Sequence, residues 1–174
     1  MNTLYLDMDG VVADFDAAAE QFIGRPRTTK TDRWRHEDWQ RIRTNQHWFL
    51  DLPKMPHADQ LVNLARRYRD ELEWQLLFLT AIPNGNDFPW AIWDKIKWAQ
   101  SLYPDIPVHF GPYSTDKQQH CQPGDILIDD RLDNCEQWRQ KRGIAIRVKN
   151  KDVELAIHEL EIDFGTRAAR SASA

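Results

Sequence analysis

Leu4-Tyr5-Leu6-Asp7-Met8-Asp9-Gly10-Val11-Val12 is the stretch on which the reading of this chain turns. Thr3 to Asp7 is a short, nearly continuous apolar run of the kind that forms a strand buried on both faces. It stops at Gly10, a residue that tolerates the backbone angles of a tight turn. Carboxylates at i and i+2 would share one face of a continuing strand. Here the strand gives way to a turn, so Asp7 and Asp9 can both approach one centre.

Working outward, Asp14 to Ile23 reads as a helix, with Asp14 as N-cap and Gly24 as its stop. Arg25 to Met55 is rich in charge, Trp and Pro and carries no strand signal. Within it Arg33 to Arg43 predicts one helix, and Trp48-Phe49-Leu50 closes the region before Pro53. Leu61, Leu64, Ala65, Tyr68 and Leu72 recur at helical spacing, and Trp74 to Leu79 is the next apolar strand. Ile92, Ile96, Ala99 and Tyr103 predict the inward face of a helix opened by Pro89. Strands at Val108–Phe110, Asp125–Ile128 and Ile144–Val148 alternate with helices at Cys135–Arg142 and Asp152–Leu160; a frayed tail is expected from Gly165 onward.

Strands alternating with helices predict an α/β fold, a Rossmann-like parallel sheet covered on both faces. The division this implies is a core formed by residues 1–15 and 73–165, a small helical cap inserted after strand one at 16–72, and a flexible tail at 166–174. The length agrees. At about 150 residues per domain, 174 residues make roughly one domain plus an insertion.

Composition removes several classes. Lys and Arg number 23 against 27 Asp and Glu, a net charge of −4, which leaves no basic excess for a stable nucleic-acid partner. The longest strongly apolar stretch, Leu76 to Pro83, is far short of the roughly 20 residues that cross a bilayer. Met1 to Asp7 has neither the basic start nor the apolar run of a secretory signal, and Cys121 and Cys135 lack zinc or CxxC spacing. The expectation is a cytoplasmic protein in which both thiols are packing residues. A homodimer is compatible with all of this.

The chemistry lies where parallel sheets place it, at the carboxyl ends of the strands. Asp7 and Asp9 follow the first strand, Thr80 ends the second, and Asp129-Asp130 end the Asp125–Ile128 strand, with Lys117 in a loop before it. Three or four converging carboxylates repel one another unless a hard cation sits among them. Oxygen ligands without His or Cys favour Mg²⁺. Thr80 and Lys117 supply what a phosphate needs, a hydroxyl donor and a compact positive charge.

In this order, DxD, Thr, Lys and paired Asp resemble the haloacid dehalogenase superfamily of phosphatases. Asp7-Met8-Asp9-Gly10-Val11-Val12-Ala13-Asp14-Phe15, Trp48-Phe49-Leu50-Asp51-Leu52-Pro53 and Gly124-Asp125-Ile126-Leu127-Ile128-Asp129-Asp130 are similar to the 5'(3')-deoxyribonucleotidases within it. The resemblance spans Asn2 to Val148 and is poor over Arg25–Gln46, so it speaks more to the chemistry than to the substrate.

It implies a Mg²⁺-dependent phosphomonoesterase acting on small (deoxy)nucleoside monophosphates. Asp7 would be the nucleophile, forming an aspartyl-phosphate, and Asp9 the general acid and base. Mg²⁺ would be held by Asp7, the backbone carbonyl of Asp9 and Asp130, with Asp129 orienting that set. Thr80 and Lys117 would clamp the phosphoryl oxygens. A dehalogenase lacks the second acid, so Asp9 favours ester hydrolysis. Sugar phosphates, nucleic-acid 3'-phosphate ends and a non-catalytic nucleotide-binding role remain as alternatives.

Phe15 resembles the family's substrate-contacting aromatic and reads equally well as a helix-face core residue. Among the Trp and Phe side chains of the insertion, Trp34, Trp39, Trp48 and Phe49 are candidates to stack a base, with ordinary packing as the alternative. Trp34 and Trp48 join Phe15, Thr80 and Lys117 as the expected substrate-binding set.

Overall fold

Short runs rich in Leu, Ile, Phe and Tyr, buried on both faces in the central strands, build a five-stranded sheet at the centre of the computed structural model, which describes residues 1–27, 34–83, 88–171 and 173. In chain order the elements are β1 (Thr3–Leu6), α1 (Phe15–Ile23), α2 (His36–Ile42), α3 (Ala58–Leu72), β2 (Gln75–Thr80), α4 (Ala91–Leu102) and β3 (Val108–Phe110). A 3₁₀ helix (Ser114–His120), β4 (Ile126–Asp129), α5 (Leu132–Gln140), β5 (Ile144–Arg147) and α6 (Val153–Ser171) complete them.

All strands pair in parallel in the order β3-β2-β1-β4-β5. Leu4 lies opposite Leu76 on one side and Ile126 on the other, and Leu6 opposite Phe78 and Ile128. From central β1 the next strand in sequence is added on one side and β4 on the other. The crevice at the carboxyl ends of β1, β2 and β4 is therefore the point at which the strand order reverses.

Helix α1 begins and ends as expected. Asp14 accepts from the Ala17 N–H at 2.9 Å, and Gly24, at φ 82°, returns its N–H to Glu20. The insertion leaves and rejoins the core at one place: Asp14 N–H donates to Pro53 O at 2.7 Å and Met55 N–H to Val12 O at 2.9 Å. Helix α2 is shorter than the expected Arg33–Arg43; Arg33 itself lies outside the described residues.

Three expectations are corrected. Helix α3, assigned with the insertion at 16–72, packs against β2 and α6 as part of the layer covering the sheet: the buried Tyr68 hydroxyl donates toward Leu160 O and the Asp163 carboxylate. The chain does not fray at Gly165, because α6 runs on to Ser171. Phe164 packs on Tyr68, Arg167 pairs with Asp163 and lies over the Trp74 ring, and Ala168 meets the core. This packing outweighs the low helix propensity of one glycine.

The third correction concerns α4. Its buried face is Ala91, Asp94, Lys95, Trp98 and Ala99, while Ile92 is exposed and Ile96 half-buried. Two charged residues turn inward because each meets a polar partner there: Asp94 meets His47, and Lys95 meets Asp9 in the loop after β1. Among the described residues no helix is long and apolar enough to cross a membrane. Cys121 and Cys135 are free and buried, and burial pushes their thiols up to about 11 and about 12.

Candidate active site

Asp7 prolongs the pairing of β1, its N–H donating to Ile128 O at 2.9 Å. The chain then folds on itself: Met8 O accepts from the N–H groups of Val12 and Ala13 at 2.9 and 2.8 Å, and Gly10 N–H donates to Ala13 O. Gly10 has φ 79°, and a Cβ there would come within 2.8 Å of the Asp130 carboxylate. Only glycine lets the β1 loop meet the end of β4 this closely.

Lys117, carried by the 3₁₀ helix and 2% exposed, lies between two acids, with Nζ 2.7 Å from Asp7 Oδ1 and 2.8 Å from Asp129 Oδ2. Asp129 is fully buried and saturated with donors, from Lys117, the Arg131 N–H and the Asn134 side-chain amide. Asp130 differs: among the described residues its carboxylate accepts no hydrogen bond. Asp7 Oδ1 also accepts from the Met8 N–H at 2.7 Å, and among the described residues no hydrogen bond reaches Oδ2.

One ammonium cannot balance this many buried carboxylates. Burial, with Asp129 and Asp9 adding to it against Lys117, raises Asp7 to about 7; burial and then the charges of Asp129 and Asp7 push Asp130 well above the ordinary carboxylate range. Lys117 is raised, because Asp129 and Asp7 outweigh the burial that opposes its charge.

Oxygens of Asp7, Asp129 and Asp130 lie within 4.8 Å of one another, the arrangement a hard divalent cation needs. Asp7 and Asp130 have carboxylate oxygens to offer it, whereas the donors on Asp129 fit that residue to an orienting role. Asp9 stands apart from this cluster. Its carboxylate turns to Lys95, with Nζ 2.5 Å from Oδ2, so only its backbone carbonyl could join a metal site. Four acids facing two ammonium groups reach parity once a dication is added, and in that sense the residues fit Mg²⁺.

Sequence reasoning missed Lys95. No hydrophobic stripe marks it, because the inward face runs through 91, 94, 95, 98 and 99 and carries two charged residues. Besides Asp9, its Nζ reaches Thr80 Oγ1 at 3.0 Å and lies 4.6 Å from the centre of the Phe49 ring. The structure thus gathers Asp7, Asp9, Thr80, Lys117, Asp129 and Asp130 at the strand ends and adds Lys95.

The aromatic candidates divide. Phe15 is buried among Trp39, Trp48 and Phe49, with ring centres 5.4, 5.8 and 6.0 Å away, and Phe88 continues the cluster against Trp39 and Phe49. Through Phe49 this cluster adjoins Lys95 and the acids. Trp34 is buried, its indole N–H bonded to Asp16. Trp48 faces Phe22 and lines an open groove of about 590 Å³ on the outer side of α1, with Gln21, Asn45 and Asp51. None of the strand-end acids lines that groove, so its size says nothing of the chemistry.

The family model described as "5' nucleotidase, deoxy (Pyrimidine), cytosolic type C protein" matches residues 1–159. A comparison with curated proteins finds no match. Among solved structures, a hydrolase from Pseudomonas syringae is similar at 12% identity, covering 90% of each chain with a TM-score of 0.42. A HAD hydrolase, family IA, variant 3 from Entamoeba histolytica HM-1:IMSS is similar at 10% identity, over 87% of this chain and 85% of its own, with a TM-score of 0.48.

Proposed function

Because this chain belongs to the family of deoxy (pyrimidine) 5' nucleotidases of cytosolic type C, we propose that it is a Mg²⁺-dependent phosphomonoesterase that hydrolyses small deoxynucleoside monophosphates. One observation carries the reading: two acids two residues apart, Asp7 and Asp9, are each held by their own buried lysine in a single crevice. A binding protein needs neither a buried nucleophile nor a separately held acid.

In this reading Asp7 attacks phosphorus while Asp9 protonates the departing sugar oxygen. Water then attacks the aspartyl-phosphate, giving its proton to Asp9 and restoring Asp7. Thr80 and Lys117 contact the phosphoryl oxygens, so the lysine that pairs with Asp7 in the resting site follows the charge as it moves to phosphorus. Asp7, the Asp9 carbonyl and Asp130 would hold Mg²⁺, which would supply the positive charge that lets Asp7 be ionised beside a phosphate dianion. The base rests against the edge formed by Phe49, Phe15 and half-buried Trp39, with the insertion acting as a cap. Of the aromatic candidates, Trp34 and Trp48 contribute to the packing beneath that edge. The family's description as cytosolic supports a cytoplasmic location.

The test is phosphate release from a panel of nucleotides and sugar phosphates with Mg²⁺, for the wild type and Asp7→Asn. Release from deoxypyrimidine monophosphates that disappears in the variant is the expected result. Release from sugar phosphates alone would keep the mechanism and overturn the substrate. No release from any phosphomonoester would overturn the enzyme.

A further inference from the structure

Lys95 is 1% exposed, on a helix face between Ala91 and Trp98. An ammonium at such a position is strongly destabilising unless well paired, so its partners disclose what it is for. Two of its hydrogens go to Asp9 Oδ2 and Thr80 Oγ1, and the Phe49 ring covers it. Asp9 Oδ1, by contrast, is buried and has no hydrogen-bond partner among the described residues.

We propose that Lys95 is a positioning residue that divides the two oxygens of Asp9 between different tasks. With Oδ2 tied to Lys95, the carboxylate cannot swing, and Oδ1 is left as the oxygen that carries the transferable proton. The same ammonium donates into the lone pair of Thr80 Oγ1, so the threonine's own hydrogen points elsewhere, toward a phosphoryl oxygen. This deepens the phosphatase reading and rests on it. The proton balance is simple: the ester P–O bond breaks as the Asp7–phosphorus bond forms, and the proton on Asp9 Oδ1 passes to the leaving sugar oxygen. When water attacks phosphorus, the Asp7–phosphorus bond breaks and the water's proton returns to the same Oδ1.

A positioning role for the acid predicts dependence on the leaving group. Replacing Lys95 by Met keeps length and apolar bulk while removing the donor. On a deoxynucleoside monophosphate, whose alkoxide needs a proton, kcat/KM, which reports the step that expels the leaving group and not the later hydrolysis common to both substrates, is expected to fall about 100-fold or more. On p-nitrophenyl phosphate, whose phenolate leaves unaided, the fall should be only about fivefold, from the loosened Thr80. Lys95→Gln, which keeps an N–H toward Asp9, should recover about tenfold of the nucleotide loss.

Thermal melts establish that each variant is folded. If Lys95→Met does not fold, the comparison is made on Lys95→Gln, whose nucleotide activity should then fall further than its p-nitrophenyl phosphate activity. Equal losses on the two substrates in a folded variant, or no loss on either, would overturn the role given to Lys95 and leave the phosphatase reading standing. A wild type inactive on every phosphomonoester would overturn that reading itself.

Discussion

Asp129 and Phe15 are both buried, yet they are held by different means. Four hydrogen bonds fix the carboxylate of Asp129, from Lys117, the Arg131 N–H and the Asn134 amide, and its Cα is locked in the β4 ladder. Phe15 is held by three rings, Trp39, Trp48 and Phe49, which have no unique hydrogen-bonded geometry to enforce. The same contrast separates the whole strand-end region from the insertion. The insertion meets α4 through a few polar ties, His47 to Asp94 and the Trp98 N–H to Leu52 O, and otherwise through aromatic faces. Directional bonds can place a reacting atom to a fraction of an ångström; stacked rings tolerate different occupants. Rate should therefore live in the first region and selectivity in the second.

The sharpest way to break this contrast is at Asp7. Asp7→Asn should reduce phosphate release by about 10⁴-fold or more while the protein stays folded, measured by steady-state release and a melting curve. Substantial residual turnover would show that the strand ends do not own the chemistry. Next in size, Lys117→Met leaves Asp7 and Asp129 facing each other without a cation. It should cost on the order of 3–5 kcal/mol of stability, read by urea unfolding, as well as activity. Retention of full stability would mean that the acids are not held as described.

A smaller effect sharpens the electrostatic side. Asp7 titrates at about 7 against an ordinary value of 3.8, so the folded state holds its proton longer than the unfolded chain does. Its stabilising contribution is present in full below pH 3.8 and is lost as pH rises through about 7. In the absence of metal, the melting temperature should fall between pH 5 and pH 8. Mg²⁺ bound as proposed would displace that proton and any held by Asp130, so its affinity should drop at least about tenfold per pH unit below 7, followed by calorimetric titration. An affinity independent of pH would remove Asp7 from the metal site. The smallest change lies in the insertion: Trp39→Leu should raise KM for deoxypyrimidine monophosphates several-fold and touch kcat little. A loss confined to kcat would erase the distinction between the regions.

What the sequence disclosed follows the same line. Asp7, Asp9, Gly10, Asp129 and Asp130 are legible because a strand, a turn and a strand end are local events, and strand ends in a parallel sheet converge whatever lies between them. Lys95 was not legible by hydrophobicity, since the stripe through Ile92 and Ile96 looks like the inward one. What turns α4 is a partner 86 residues away in sequence, Asp9, and no local pattern contains it. The place of α3 in the layer over the sheet, and the run of α6 past Gly165, likewise depend on the packing of Tyr68, Trp74, Phe164 and Arg167 across the fold. The aromatic residues of the insertion were visible as a set, but which ones adjoin the acids is a matter of three-dimensional adjacency that spacing does not encode.

The two backbone bonds that join Asp14 to Pro53 and Met55 to Val12 have an architectural consequence. They bring the entry and exit of the insertion to one doorway, so everything between is topologically a detachable loop. A shorter or longer segment grafted between Asp14 and Pro53 could meet the same two attachment points without asking Asp7 or Gly10 to move. A lineage carrying such a doorway can exchange the room while keeping the house, and its repertoire of substrates can widen by recombination rather than by rebuilding the chemistry.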